Sequence, residues 1–456
     1  MKNINVPFLP EPKRIESNGH VCRVTGGTAC YTNAGAGISF SYLLGLAGIH
    51  IAQAQALPCG SAAPYTLVLG EMPKTLSLCP EGRGEEAYAL ESTENTIVIA
   101  ANSVCGLAHG VKLLVRLGRA ELLESGYCVW DEPDIAFRAV HMCVFNPDDG
   151  TEKDDTSLPE LRRRILAAAL SGYNYVFLEF WGMFPYRRQP DAKWPKALTW
   201  EQVTGLVNEM RNDLFITPCP AQNLTSHAGW SRIISRKHVM LDQHPERADL
   251  YVPGGWCFTT EREETRAFLR DIMDDLIEAF QNPPYLHCCC DKCYAFGSTE
   301  EDRTKPADML FVNHLCFLNN HLSEKGVRMV MWSDMLYSSM DVLNWKCAPE
   351  TSELLPKNIL INIWTHNDPG GYWHDIDFFE SKGFQTVYAP FFNRAGARSM
   401  VGLCKRHGSL GIMQTTWHRP ELALPTIVFS GGAQWGDSRA ADSDERLEYC
   451  LKLYRE

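Results

Sequence analysis

The sequence predicts an α/β chain, a (β/α)8 TIM barrel preceded by a small α+β domain, on three observations. The 456 residues exceed the roughly 250 that such a barrel needs by enough for a companion domain. From Phe137 onward short apolar strands alternate with longer amphipathic helices, the pattern of parallel βα units. Eight such strands can be counted, the number that closes this kind of barrel.

In the first part of the chain, residues 65–70 (YTLVLG), 86–92 (EAYALES) and 95–101 (NTIVIAA) are β-rich, the last two joined by a short polar turn as in a hairpin. Over 104–117 (VCGLAHGVKLLVRL) apolar residues recur at three- and four-residue spacing, which gives a helix with one buried stripe. The reading is a domain over 1–133 and a barrel over 134–456. Barrel strands are expected at 138–144, 173–180, 214–221, 285–290, 327–333, 359–365, 386–391 and 411–417, with helices clearest at 159–171, 200–212, 262–280, 307–324 and 396–407.

Hydrophobic residues make up 45% and charged residues 21%, the balance of a soluble protein with a substantial core. A formal charge of -12 argues against nucleic acid, because phosphate binding draws on concentrated Lys and Arg. The opening MKNINVPFLPEPKRIE has no apolar core of signal-peptide length, and no later stretch reaches the apolar run of about 18 residues that spans a membrane. As written, the chain reads as cytoplasmic, with no membrane partner. Its seventeen cysteines are scattered through strands and helices and read as reduced, buried thiols.

Barrel active sites form at the carboxyl ends of the strands. Here those ends offer Asn146, Glu179 with Trp181, Asn223 with His227, Asp291, Trp332 with Asp334, Trp364 with His366, Tyr388 with Asn393, and Trp417 with His418. Sugars present apolar C–H faces that stack on indole rings, and hydroxyls that need polar partners, so the set reads as a carbohydrate pocket. The alternative is that the tryptophans pack the barrel.

Several segments carry a family resemblance. EEAYALESTENTIVIAANSVCGLAHGVKLLVRL and DEPDIAFRAVHM resemble the small domain and first-strand region of the β-N-acetylhexosaminidases of glycoside hydrolase family 20. LEFWGMFPYRRQP, ITPCPAQNLTSHAGWSR, KHVMLDQHPE and VMWSDML are similar to their barrel landmarks, in the same order. The resemblance implies exo-acting hydrolysis of a terminal N-acetylated or modified amino sugar, in which the substrate's acetamido oxygen attacks the anomeric carbon.

The family motif His-Ile-Gly-Gly-Asp-Glu is matched by His287-Cys288-Cys289-Cys290-Asp291-Lys292. By resemblance Asp291 polarises the acetamide, and Lys292 stands where the family has its proton donor. General acid catalysis contributes about 100- to 10,000-fold, and an ammonium is a poor donor to a departing alkoxide. Three readings follow: Glu179 or Asp334 supplies the proton, Lys292 holds an anionic substituent on the glycan, or the barrel binds sugar without catalysis.

The resemblance further implies that Arg138 bonds sugar hydroxyls and Tyr388 the acetamide oxygen. Trp332, Trp364 and Trp417 are candidate walls of the sugar slot, His227 matches a histidine of the family's third-strand loop, and Trp181, Asn223, His287, Asp334 and Glu421, four residues past Trp417, are further candidate substrate contacts. Each has a structural alternative: an ion pair for Arg138, a bonded core hydroxyl for Tyr388, a loop histidine for His227.

Cys290 and Cys293 have the spacing of a zinc pair, but no second CxxC exists in the chain. Buried thiols are preferred, with no metal and no cofactor implied. A cysteine nucleophile activated by Lys292 stays open as a third class.

Overall fold

The hairpin expected at 86–101 lies at the centre of a larger sheet than the sequence suggested. The structure, a computed structural model, describes residues 2–24, 27–82, 84–144, 157–229, 240–336, 347–364, 372–417, 420–436 and 443–455. Its N-terminal body contains β1 (Lys2–Asn3), β2 (Arg14–Val21), β3 (Thr28–Thr32), α1 (Ser41–Leu46), β4 (Ile51–Ala56), β5 (Tyr65–Gly70), β6 (Tyr88–Ser92), β7 (Thr96–Ala101), α2 (Val104–Arg119) and β8 (Ser125–Asp131). The eight strands run in the order β1-β2-β8-β6-β7-β5-β3-β4.

The strands missed from sequence include edge elements such as β4, IAQAQA, none of whose residues is fully buried. An edge strand with so little buried surface has no apolar run to betray it. Helix α2 begins at the Ser103 N-cap, which accepts from Gly106 N, and lies close on the sheet. A Cβ at Gly110 would meet Ile99 Cγ2 at 2.5 Å.

The barrel follows as β9 (Phe137–Cys143), α3 (Leu158–Leu170), β10 (Tyr175–Glu179), α4 (Trp200–Asn208), β11 (Thr217–Ala221), α5 (Glu263–Ala279), β12 (Tyr285–His287), α6 (Ala307–Glu324), β13 (Arg328–Trp332), β14 (Leu360–Trp364), α7 (Tyr372–Ser381), β15 (Thr386–Ala389), α8 (Arg394–His407), β16 (Gly411–Thr415), α9 (Pro420–Trp435) and α10 (Asp444–Arg455). Its eight strands are parallel and closed, with β16 returning to β9 in the register Met413↔Ala139. The expected α/β barrel with a preceding small domain is therefore the observed fold.

Strand alternation divides each side-chain set between interior and helix layer. Phe137, Ala139, Phe177, Cys219, Val330, Trp332, Val387 and Met413 form an interior cluster. At the amino-terminal mouth Phe137 stacks on Tyr175 with ring centroids 4.6 Å apart and meets Tyr285 edge-on at 5.6 Å. This aromatic plug leaves the carboxyl ends of the strands for a site.

The N-terminal sheet abuts the plugged end. Arg116 Nη1 donates to Leu170 O at 2.8 Å, and Trp435 Nε1 donates to Asp131 at 3.0 Å. Helix α10 reaches back the same way, with Arg446 bonded to Glu11 at 2.6 Å and Leu453 O accepting from Arg119 at 2.7 Å. Among the described residues, no helix is long and apolar enough to cross a membrane.

Candidate functional site

A cavity of about 240 Å³ opens at the carboxyl ends of the barrel strands, lined by Glu179, Trp181, Asn223, His227, Asp291, Lys292, Trp332, Trp364, Phe391 and Trp417. All but Phe391 are residues that the sequence singled out. Phe391 closes the segment expected as the seventh barrel strand, and its apolar run gave no sign that the last side chain would face the cavity.

Asp291 and Lys292 follow the short strand β12 on a backbone that the neighbouring loop fixes. Leu224 N donates to Cys288 O at 3.3 Å, Ser226 Oγ donates to Asp291 O, and Trp256 Nε1 donates to Lys292 O at 2.7 Å. The support is needed because Cys289, Cys290 and Lys292 have φ of 58°, 62° and 55°, in a region that costs side-chain-bearing residues about 1–3 kcal/mol each. Trp181 and His227 share this conformation, at 51° and 50°. Five of the nine non-glycine residues with positive φ among those described thus gather at this end of the barrel.

The charges form a compact chain. Lys292 Nζ donates to Asp291 Oδ2 at 2.8 Å, stands 3.5 Å from Asp334 Oδ2, and lies 4.8 Å from the centre of the Trp364 ring. His227 Nε2 is 3.7 Å from Asp291 Oδ2, its ring set against Trp256 at 4.4 Å and Trp181 at 5.7 Å. Burial alone would raise the Asp291 carboxyl, but the Lys292 ammonium and His227 outweigh it and hold the group below the usual carboxylate range. Burial likewise works against the Lys292 charge, and Asp291 and Asp334 overcome it, so the ammonium is held above its ordinary value. Asp334 is raised, by burial first and by repulsion from Asp291, with Lys292 opposing.

Glu179 is the second carboxylate of the cavity. Asn223 Nδ2 donates to its Oε1 at 2.6 Å, and His141 Nε2 is bonded to its Oε2 at 2.7 Å. His141 was missed from sequence. The available signal was parity, because Phe137 and Ala139 point inward and position 141 follows them.

Among the described residues, His141, Cys143 and Glu179 are the group whose ligand-type atoms approach closely enough for a metal, all within 4.8 Å of one another. A ligating histidine normally donates its other ring N–H to an acceptor. His141 Nδ1 is buried without a partner, so the trio fits a hydrogen-bonded support for Glu179 better than a metal centre. The cysteine run does not converge either: Cys289 faces the barrel interior, and Cys288, Cys290 and Cys293 belong to the outer core. Burial pushes all four thiols up. That is the opposite of what a Lys292-activated nucleophile requires.

Four expected sugar contacts lie away from the cavity. Arg138 is wholly buried at the amino-terminal end of β9. There its two terminal nitrogens each donate to Glu86 at 2.8 Å, its Nε donates to Gly172 O at 2.7 Å, and it lies over Trp435. The ion-pair alternative is the one observed, and the expectation of a sugar contact is corrected. Tyr388 has the wrong parity: Val387 and Ala389 face inward, and its hydroxyl donates outward to Glu380 at 3.1 Å.

His287 sits beneath the floor, with Trp332 4.3 Å above its ring and Asn362 3.3 Å from Nε2. Burial, then His141 nearby, keeps it well below its ordinary pKa. Asp334 stands behind Lys292. Asn146, His366 and His418 lie outside the described residues, as does the Glu421 side chain at the start of α9.

Residues 223–393 match the family model of the Glycosyl hydrolase family 20 catalytic domain, a span that holds Asn223, Asp291, Lys292, Trp332 and Trp364. The β-N-acetylhexosaminidase of Bacteroides fragilis is similar over 94% of this chain and 90% of its own, at 16% identity and a TM-score of 0.66. The chitobiase of Flavobacterium johnsoniae is similar over 99% and 72%, at 15% identity and a TM-score of 0.67. The fold is that of the family 20 hexosaminidases. The exo-β-N-acetylglucosaminidase of Vibrio harveyi, in complex with N-acetylglucosamine, shares it at 14% identity and a TM-score of 0.66, over 100% of this chain and 78% of that one. No curated protein sequence matches the chain. The family match and the hexosaminidase fold together support a glycosidase.

Proposed function

We propose that the cavity binds a terminal N-acetylated amino sugar and hydrolyses it with the substrate's own acetamide as nucleophile. The observation that carries the reading is Asp291, a carboxylate kept ionised by Lys292 and His227 and facing a cavity with four tryptophans. An ionised acceptor at that position orients the acetamide N–H and stabilises the positive charge that develops as its oxygen attacks the anomeric carbon. Trp332, Trp364, Trp417 and Trp181 offer stacking faces for the ring. Glu179, aligned by Asn223 and His141, accepts from a sugar hydroxyl. Lys292, protonated and paired on two sides, is not the proton donor.

A second reading, a barrel that binds the sugar without turning it over, is favoured by the same ion pair, since it leaves the usual acid position without an acid. Release of nitrophenol from aryl N-acetylglucosaminide and galactosaminide separates the two. Release that is lost in Asp291→Asn supports hydrolysis, whereas N-acetylglucosamine binding without any release supports the second reading. Lys292→Glu is expected to raise turnover of glycans by about 100-fold or more, and no gain would remove Lys292 from the acid position.

A further inference from the structure

The Asp291 carboxylate reaches the cavity from a turn that its own residues do not favour. Cys289 and Cys290, left-handed at φ 58° and 62°, fall at the two glycine positions of the motif His-Ile-Gly-Gly-Asp-Glu. Glycine enters this region freely, whereas a residue with a Cβ stays there only when its surroundings hold it. The neighbouring loop holds carbonyl oxygens, with Leu224 N donating to Cys288 O at 3.3 Å and Ser226 Oγ to Asp291 O. Strand β13 holds two more groups: Cys288 N donates to Val330 O at 2.8 Å, and Trp332 N to Cys289 O at 2.9 Å. The Cys289 N–H goes instead to a side chain, donating to His287 Nδ1 at 3.1 Å. An acceptor two residues back is the arrangement of an Asx-turn, here supplied by an imidazole.

We infer that His287 is a positioning residue, which accepts from the Cys289 N–H and so fixes the left-handed pair that aims Asp291 into the cavity. The inference rests on the reading of Asp291 as the carboxylate that orients the acetamide, and adds what sets its place. His287 is wholly buried, and a buried N–H deprived of its acceptor favours any backbone that finds another. Burial, then His141, keeps the imidazole below its ordinary pKa, so the ring stays neutral with a lone pair to offer. A neutral ring that accepts at Nδ1 carries its proton on Nε2, where the Asn362 side-chain amide lies 3.3 Å away. The ring also underlies Trp332 at 4.3 Å and meets Phe177 edge-on at 6.3 Å. Turning it would therefore disturb Trp332, a wall of the cavity.

Two variants of the intact protein separate the hydrogen bond from the packing. His287→Phe keeps a ring beneath Trp332 and removes the acceptor, whereas His287→Asn removes the ring and keeps an acceptor for the N–H two residues on. Crystal structures are expected to show the Asp291 carboxylate displaced in His287→Phe and in its wild-type place in His287→Asn. On an aryl N-acetylglucosaminide, kcat should fall by about 100-fold in His287→Phe, the cost of misplacing a reacting group by about 1 Å, with KM much less affected. His287→Asn should recover most of that loss. The reverse order, with His287→Phe active and His287→Asn impaired, would make this a packing residue and overturn the inference, as would an unmoved carboxylate in His287→Phe. Should one variant fail to fold, NMR of the wild-type protein labelled with nitrogen-15 in its histidine rings still decides, with His287 assigned by the loss of its signals in the other variant. A proton on Nε2 is expected, and one on Nδ1 would overturn the inference. A wild-type protein silent on the aryl substrate would overturn the hydrolase reading, while the crystal structures would still decide what places Asp291.

Discussion

The Lys292 ammonium donates to the carboxylate of its own neighbour, Asp291, at 2.8 Å, and the left-handed backbone at Lys292, φ 55°, is part of how two consecutive side chains reach the same cavity. Removing one partner of a largely buried pair strands the other's charge. Lys292→Met is therefore expected to destabilise the protein by about 3 kcal/mol. The double variant Asp291→Asn with Lys292→Met should lose clearly less than the sum of the single losses. Urea unfolding of the four proteins measures the coupling, and strict additivity would mean that the pair does not interact.

Arg138 is expected to matter for folding and not for sugar affinity. Its guanidinium is wholly buried and bonds Glu86 through both terminal nitrogens, so Arg138→Met should cost about 3–5 kcal/mol by leaving Glu86 uncompensated. Thermal melting would register the loss. Titration with N-acetylglucosamine at a temperature where the variant remains folded should return the wild-type affinity.

Tyr388→Phe removes a hydroxyl that bonds Glu380 on α7, outside the barrel. The expectation is a loss near 1 kcal/mol with KM unchanged on an aryl N-acetylglucosaminide. A large rise in KM would return this residue to the cavity.

His314 gives a pH signature. Its Nε2 donates to Leu224 O at 2.9 Å beneath the loop that carries Asn223 and His227, and burial lowers its pKa from 6.5 to about 4. Between those values the unfolded chain binds the proton and the folded chain does not, so stability rises with pH through that window. The contribution is complete above about 6.5 and is lost as the pH falls toward 4. In His314→Gln the slope of unfolding free energy against pH over this window should be shallower than in the wild type. Equal slopes would place the acid-sensitive group elsewhere.

How much of this was legible in the sequence depended on where each residue's signal came from. The barrel strands declared themselves through apolar runs and spacing, and the cavity through polar and aromatic residues at their ends. Arg138 and Tyr388 show the limit: both sit in correctly placed strands, but one is at the wrong end and the other has the wrong parity. Matching a motif fixes a position along the chain, whereas function also needs the direction of the Cα–Cβ bond. The alternation of Val387 and Ala389 around Tyr388 held that information. The Lys292 pairing with Asp334 was out of reach, because it joins the ends of neighbouring strands through a backbone turn that no periodicity announces.

The guanidinium at the foot of the cylinder has its counter-ion in Glu86, on the turn that leads into β6 of the preceding domain, and Trp435 from the penultimate helix caps the same spot while bonding Asp131. The two halves are thus poor modules for cutting and grafting. A transplanted cylinder would bring an orphan cation into its own foundation, and a transplanted sheet an orphan carboxylate, so recombination among relatives should preserve the pair as a single inherited block.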